Sequence, residues 1–349
     1  MRSKLLTAFA ALLSIHSCVA FAQWWDPADM TPPYLKGTPQ APKIVYDYAK
    51  RRAARNAINA AIWNNEFAKI ERMYDEFLSQ KLRAADGTWL VEVVQTTFDT
   101  LFQATPEQMT KVMEAWQKAI PDSKLRRVLE ADRWQRFAWN ARGGASASGT
   151  PGEAMQVFRE RLGKAAQALE ASAEVGKDSP IWYWVALIVA GSGGMPVAQF
   201  DALFDEAVAK FPSYQPLYYT RVNYLLPQWG GDYAQVEKFV DRAVKRTAST
   251  EGESLYAWIY ADIAAKQRGR GFFDESALSW PRMKKSFEDL VQRYPDANNK
   301  AQFLTFACRL RDKETTARLI GEMGNKAEVI NTFDGVNLET CKRFALQAA

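Results

Sequence analysis

From Ile44 onward the apolar residues of this chain recur at spacings of three and four and almost never alternate, which restricts it to packed helices. Phe67, Ile70, Met73, Tyr74, Phe77 and Leu78 form the clearest run and mark one face of a helix. Start and stop signals along the sequence predict roughly 14 helices. Thr105-Pro106-Glu107-Gln108 and Thr150-Pro151-Gly152-Glu153 each offer a capping hydroxyl, a nearby proline and a Gln or Glu three residues on. The cap and the third residue can satisfy backbone amides reciprocally, and proline at the first helical position has no amide to leave unbonded. Ser179-Pro180 opens another helix in the same way.

The first residues point to export. Arg2 and Lys4 precede an apolar stretch over 5–19, and Ala20-Phe21-Ala22 forms a small-residue cleavage site before Gln23. The stretch is shorter than the roughly 20 residues that span a bilayer. Lipoprotein processing at Cys18, after Ile15-His16-Ser17, is the competing route, but the Ala-x-Ala site is better formed. The expected location is therefore periplasmic or secreted, with residues 1–22 removed. Cleavage takes away His16, the only histidine, and one of three cysteines, and lowers a formal charge of +5. So mild and mixed a charge argues against nucleic acid as a partner. Residues 23–43 hold Pro27, Pro32, Pro33, Pro39 and Pro42 and read as an extended tether. The most apolar later run, 181–190, is long enough only for a buried helix, so no transmembrane segment is expected in the mature chain.

A stretch rich in Gly, Ser and Ala at 143–152 divides an N-terminal helical region, 44–142, from residues 151–349. Beyond it a repeat emerges. Trp184 and Leu187 on one helix are followed by Phe204, Ala207 and Pro212, and Phe287, Leu290 and Pro295 reproduce the second part; Val240 and Ala243 continue it weakly. Phe200 and Gly191 depart from the pattern, standing where a small and an aromatic residue are usual. With these spacings, residues 151–349 resemble the tetratricopeptide-like superfamily. The resemblance implies an all-α fold of antiparallel helix pairs stacked in a superhelix; an irregular helical bundle is the alternative. More narrowly, Asp86-Gly87-Thr88-Trp89, the run from Leu226 through Pro227-Gln228-Trp229-Gly230-Gly231 to Asp232, and Cys308 with Cys341 resemble an uncharacterised family of bacterial exported helical proteins. In the second motif Pro227 stops a helix, Gly230-Gly231 permits a tight turn, and Asp232 with Gln235 makes a capping box. Trp229 is left as a plug between repeats or as an aromatic at a groove rim.

Most catalytic machinery is missing from the mature sequence. Without histidine there is no Ser-His-Asp triad, Cys-His pair or histidine-bearing zinc site. Gly191-Ser192-Gly193-Gly194 follows a helix and lacks the Lys-Ser/Thr of a phosphate loop, so it reads as a linker. Two acidic groups, Asp201, Asp205 and Glu206, and Glu71, Asp75 and Glu76, lie beside Lys69, Arg72 and Lys210 and read as solvated helix faces. Their alternative is a carboxylate pair acting on a glycan. The basic run 266–271 ends a helix, where cations meet the negative end of the dipole; an anionic contact is the other reading. No cofactor or metal is expected.

The function expected is a scaffold that binds a protein or peptide partner in the cell envelope through a concave face, without catalysis. In the frame set by Trp184 as a packing residue, that face takes Trp182 and Val185, then Tyr218, Arg221 and Trp229. A glycan-active enzyme and a purely structural spacer stay open. Cys308 and Cys341 stand close to one tetratricopeptide period apart, so neighbouring layers can present them to each other. A disulfide is expected in an oxidising compartment, against the alternative of two buried free thiols.

Overall fold

The computed structural model describes residues 45–46, 48–144, 149–267, 273, 276, 278–324 and 337–346. The residues expected to form an export signal, Cys18, the expected cleavage site before Gln23 and the proline-rich stretch 23–43 lie outside the described residues, as does most of the basic run beyond Gln267. Among the described residues the chain is all-α, with fifteen α-helices. No helix is long and apolar enough to cross a membrane.

One compact unit comprises 51–82 and 89–224. It contains α1 (Tyr48–Trp63, from Arg51), α2 (Phe67–Ser79), α3 (Val91–Ala104), α4 (Pro106–Ala119), α5 (Lys124–Arg142), α6 (Gly152–Gly176), α7 (Pro180–Ser192), α8 (Val197–Lys210) and α9 (Gln215–Asn223). The division into units falls after Tyr224, and α5 and α6, which flank 143–152, make the most extensive helix–helix contact of the chain. Each helix from α2 onward packs on its sequence neighbour. In addition α3 meets α5, α5 meets α7, and α7 meets α9. This alternate-helix row explains the character of α7, in which Ile181, Trp182, Tyr183 and nearly every residue to Ala190 is buried. The apolar run at 181–190 is thus a central helix enclosed on all sides.

The second unit comprises residues 83–88 and 225–349, with β1 (Val45–Tyr46) paired in parallel to β2 (Arg83–Ala84). It contains α10 (Tyr233–Glu251), α11 (Ser254–Lys266), α12 (Trp280–Arg293), α13 (Ala297–Arg309), α14 (Lys313–Met323) and α15 (Leu338–Leu346), each packed on the next wherever sequence neighbours meet. Phe287 stacks on Phe303 with ring centroids 5.0 Å apart, joining α12 to α13. Cys308 and Cys341 form a disulfide.

The caps divide by chemistry. Asp232 accepts from Gln235 N at 2.7 Å and from the Gln235 side chain at 2.8 Å, so this pair closes the start of α10. Thr105 instead turns its hydroxyl back to Leu101 O, and Ser179 accepts from Tyr74 OH at 2.5 Å, so neither side chain caps its helix. Thr150 is not a cap at all, because Pro151 holds that position for α6. Each hydroxyl is engaged elsewhere, Thr105 as a donor to a carbonyl and Ser179 as the acceptor of the Tyr74 hydroxyl, and proline alone is enough to start the helix.

Candidate functional site

Four of the residues assigned to a partner-binding face lie in the interior of the first unit. Trp182 is 4% exposed and faces α6, where its Nε1 donates to Leu169 O and Ser172 Oγ, each at 3.2 Å. Its ring lies so close to Gly176 that a Cβ there would come within 2.2 Å of Trp182 Cδ1. Val185 is fully buried. Tyr218 faces α8, edge-on to Phe204, and donates to Pro212 O at 2.6 Å. Arg221 also faces α8: its Nε bonds Asp201 Oδ1 at 2.7 Å and its guanidinium lies over Phe200. The groove assignment for these four is therefore corrected. Trp184, expected to be the packing residue, is half-exposed, while Trp182 is sealed. Trp229 is half-exposed in the 3-10 turn Pro227–Trp229 of the second unit.

Of the six acids expected on solvated faces, Asp75, Glu76 and Asp205 are exposed, whereas Asp201, Glu206 and Glu71 hold partners on neighbouring elements. Asp201 is paired with Arg221, and Glu206 accepts from Lys177 Nζ at 2.6 Å and Tyr183 OH at 2.8 Å. Glu71 accepts from Trp116 Nε1 at 3.1 Å. Gly191 allows close approach rather than cradling a phosphate: a Cβ there would lie 2.2 Å from the Tyr224 ring.

The chemistry of the first unit concentrates where α3 meets α5. Asp132 is fully buried and accepts from Gln95 Nε2 at 3.1 Å and Gln135 Nε2 at 3.0 Å. Asp99, on the turn after Gln95, is paired with the buried Arg136. Two carboxylates thus stand beside one guanidinium. Burial is the main cause that pushes the Asp99 carboxyl up to about 7; Arg136 opposes the rise and the Asp132 charge adds to it. Asp132 is raised by burial as well, against Arg136 and the two glutamine amides. Such a cluster can hold a proton near neutral pH. Sequence carries a signal for it. Leu125, Val128, Leu129, Asp132, Gln135 and Arg136 continue one helical stripe, so polar residues occupy positions that the apolar spacing sends inward.

On the adjoining face of α5, Trp134 and Phe137 are half-exposed and stand edge to face. Arg133 grips both oxygens of Glu130, at 3.1 and 2.5 Å, and lies 4.8 Å from the Trp134 centroid. Trp134 Nε1 donates to the same Glu130 at 2.8 Å, and the exposed Lys164 of α6 stands 4.4 Å from the Trp134 centroid. This is a half-exposed aromatic pair with cations over the Trp134 ring, of the residue types that anchor interfaces. Among the described residues no group of three or more His, Cys, Asp or Glu side chains is placed to hold a metal ion. A cavity of about 420 Å³ opens elsewhere in this unit, lined by Asn65, Phe67, Lys69, Arg72 and Ile120 among others.

Comparison with protein families, with curated proteins and with solved structures finds no match to this chain.

Proposed function

We propose that the chain is an exported helical-repeat protein that works by presenting a surface to a protein or peptide in the cell envelope. The observation that carries this reading is the row α3–α5–α7–α9, in which alternate helices touch while each also packs on its sequence neighbour. In stacked helix pairs the first helix of a pair meets both its own partner and the first helix of the next pair. The pairs α3–α4, α5–α6 and α7–α8 follow that rule, which supports tetratricopeptide-like stacking. The disulfide fits an oxidising compartment, and the N-terminal pattern supplies the route there. The working surface on this reading is the α5–α6 face at Trp134, Phe137 and Lys164, in place of the buried residues first assigned.

Lys164→Glu tests it, since Lys164 is exposed and its reversal leaves the core untouched. Crosslinked capture from envelope extract should fall at least tenfold relative to the unaltered chain, with no change in thermal unfolding. Equal capture by both proteins would reject this face. Failure of the unaltered chain to retain any envelope protein would reject the interaction reading, and turnover of a cell-wall glycan would favour the enzyme instead.

A further inference from the structure

Among the described residues, α15 lies against α13 and α14 with a single buried side chain and no side-chain hydrogen bond to either helix. Of its residues only Cys341 is buried. Leu338, Phe344 and Ala345 are half-buried, and Leu346 is 85% exposed. Among the described residues, the side-chain hydrogen bonds of this segment stay within it: Asn337 accepts from Thr340, and Lys342 donates to Glu339. The helix contacts α13 and α14, and there the two half-cystines gather a small apolar cluster of their own with Ile320. Nine residues are too few for a stable isolated helix, so its helicity depends on docking. Among the described residues the side chains around the bridge add no buried polar link and one partly buried apolar neighbour, Ile320, so the bridge is the principal tie between α15 and the helices beneath it.

We propose that the Cys308–Cys341 bond is a redox latch: a dithiol reductant opens it, α15 leaves, and the α13–α14 face around Cys308 and Ile320 is uncovered. One thiolate of the reductant attacks a sulfur of the bridge and forms a mixed disulfide, expelling the other cysteine as a thiolate. The second thiol of the reductant then displaces the remaining cysteine. Two electrons and two protons pass to the protein, leaving two thiols, and the reductant becomes a disulfide. The departure of α15 would expose the apolar side chains of Cys308 and Ile320, which it covers. This latch is independent of the surface on α5 and α6.

Hydrogen exchange followed by mass spectrometry on the full chain tests it, with dithiothreitol as the probe reductant and alkylation to count free thiols. Once two thiols are labelled, exchange across 338–346 should accelerate at least tenfold while 233–293 is unchanged, and Cys308→Ser/Cys341→Ser should match the reduced protein. A second variant, Leu338→Ala/Phe344→Ala with the bridge intact, should keep its exchange across 338–346 within twofold of the unaltered oxidised chain. The latch is overturned by any of four results: thiols that never reduce in the native protein, α15 still protected after reduction, protection lost throughout α10–α14, or protection lost in the alanine variant.

Discussion

Arg83 Nη2 stands 2.8 Å from Glu251 Oε1, with side chains only 5% and 2% exposed. Arg83 also donates to Gly87 O at 2.7 Å, and the second Glu251 oxygen accepts from Tyr294 OH at 2.9 Å. Asn299 Nδ2 bonds Asp86 O, so the segment 83–88 is held in the second unit by polar contacts at both ends. Glu251→Leu or Arg83→Met alone strands a buried charge and should cost about 3–5 kcal/mol. Arg83→Met/Glu251→Leu should recover most of that loss. Urea unfolding of the four proteins gives the cycle, and additive losses would show that the two groups act separately.

Gly87 and Gly230 share a left-handed backbone but not an environment. At Gly87, φ is +93° and a Cβ would lie 2.6 Å from Trp258 Cζ2; at Gly230, φ is +84° and nothing lies within 4 Å. Gly87→Ala should therefore cost about 2 kcal/mol or more, combining backbone strain with overpacking. Gly230→Ala should cost only about 1 kcal/mol. Thermal unfolding should show the larger loss for Gly87→Ala, and equal losses in the two variants would mean that Trp258 adds nothing to the cost.

Asp99 makes the stability of the first unit pH-dependent. Its folded carboxyl titrates at about 7, above its ordinary 3.8, so the folded form keeps a proton that the unfolded chain has lost between those values. The stabilising contribution is complete below about pH 4, falls as pH rises toward 7, and is gone above it. The slope reaches at most about 1.4 kcal/mol per pH unit. Asp99→Asn, which mimics the protonated group beside Arg136, should flatten this part of the profile. Matching slopes for the two proteins, measured by urea unfolding at pH 4 to 8, would place the titrating group elsewhere.

Trp182 and Trp184 should separate cleanly. Trp182→Ala opens a cavity against α6 and should cost about 3–5 kcal/mol, with Trp184→Ala well below that. Arg221→Ala should lower stability by roughly 1–2 kcal/mol, discounted because Asp201 is nearly half exposed. Equal losses at the two tryptophans in chemical unfolding would restore the phase of the original repeat frame.

Helices were legible because their cause is local. Three-and-four spacing, proline at a first turn and the Asp232–Gln235 pair act within a few residues, and α7, α10 and the turn at Pro227 formed where those signals stand. The polar cluster at Asp99, Asp132 and Arg136 was less visible, although polar residues in an apolar stripe hinted at it. Its meaning depends on α3 lying against α5. Capping hydroxyls at Thr105 and Ser179 were misjudged for a related reason: acceptors and donors outside the capping position claimed them.

By itself the sequence determined the all-α class and the pairing distance of Cys308 and Cys341, since periodicity and spacing are written along the chain. Only the tertiary structure decided which side of each helix is inside. Trp182 and Trp184 are two residues apart and alike in chemistry, yet α6 seals one and leaves the other half in water. A rotation of α7 about its axis would exchange them without altering a single local signal. That rotation is set by neighbours on the adjoining helix, Gly176 and Ser172 among them, whose small size makes room for one indole and not the other.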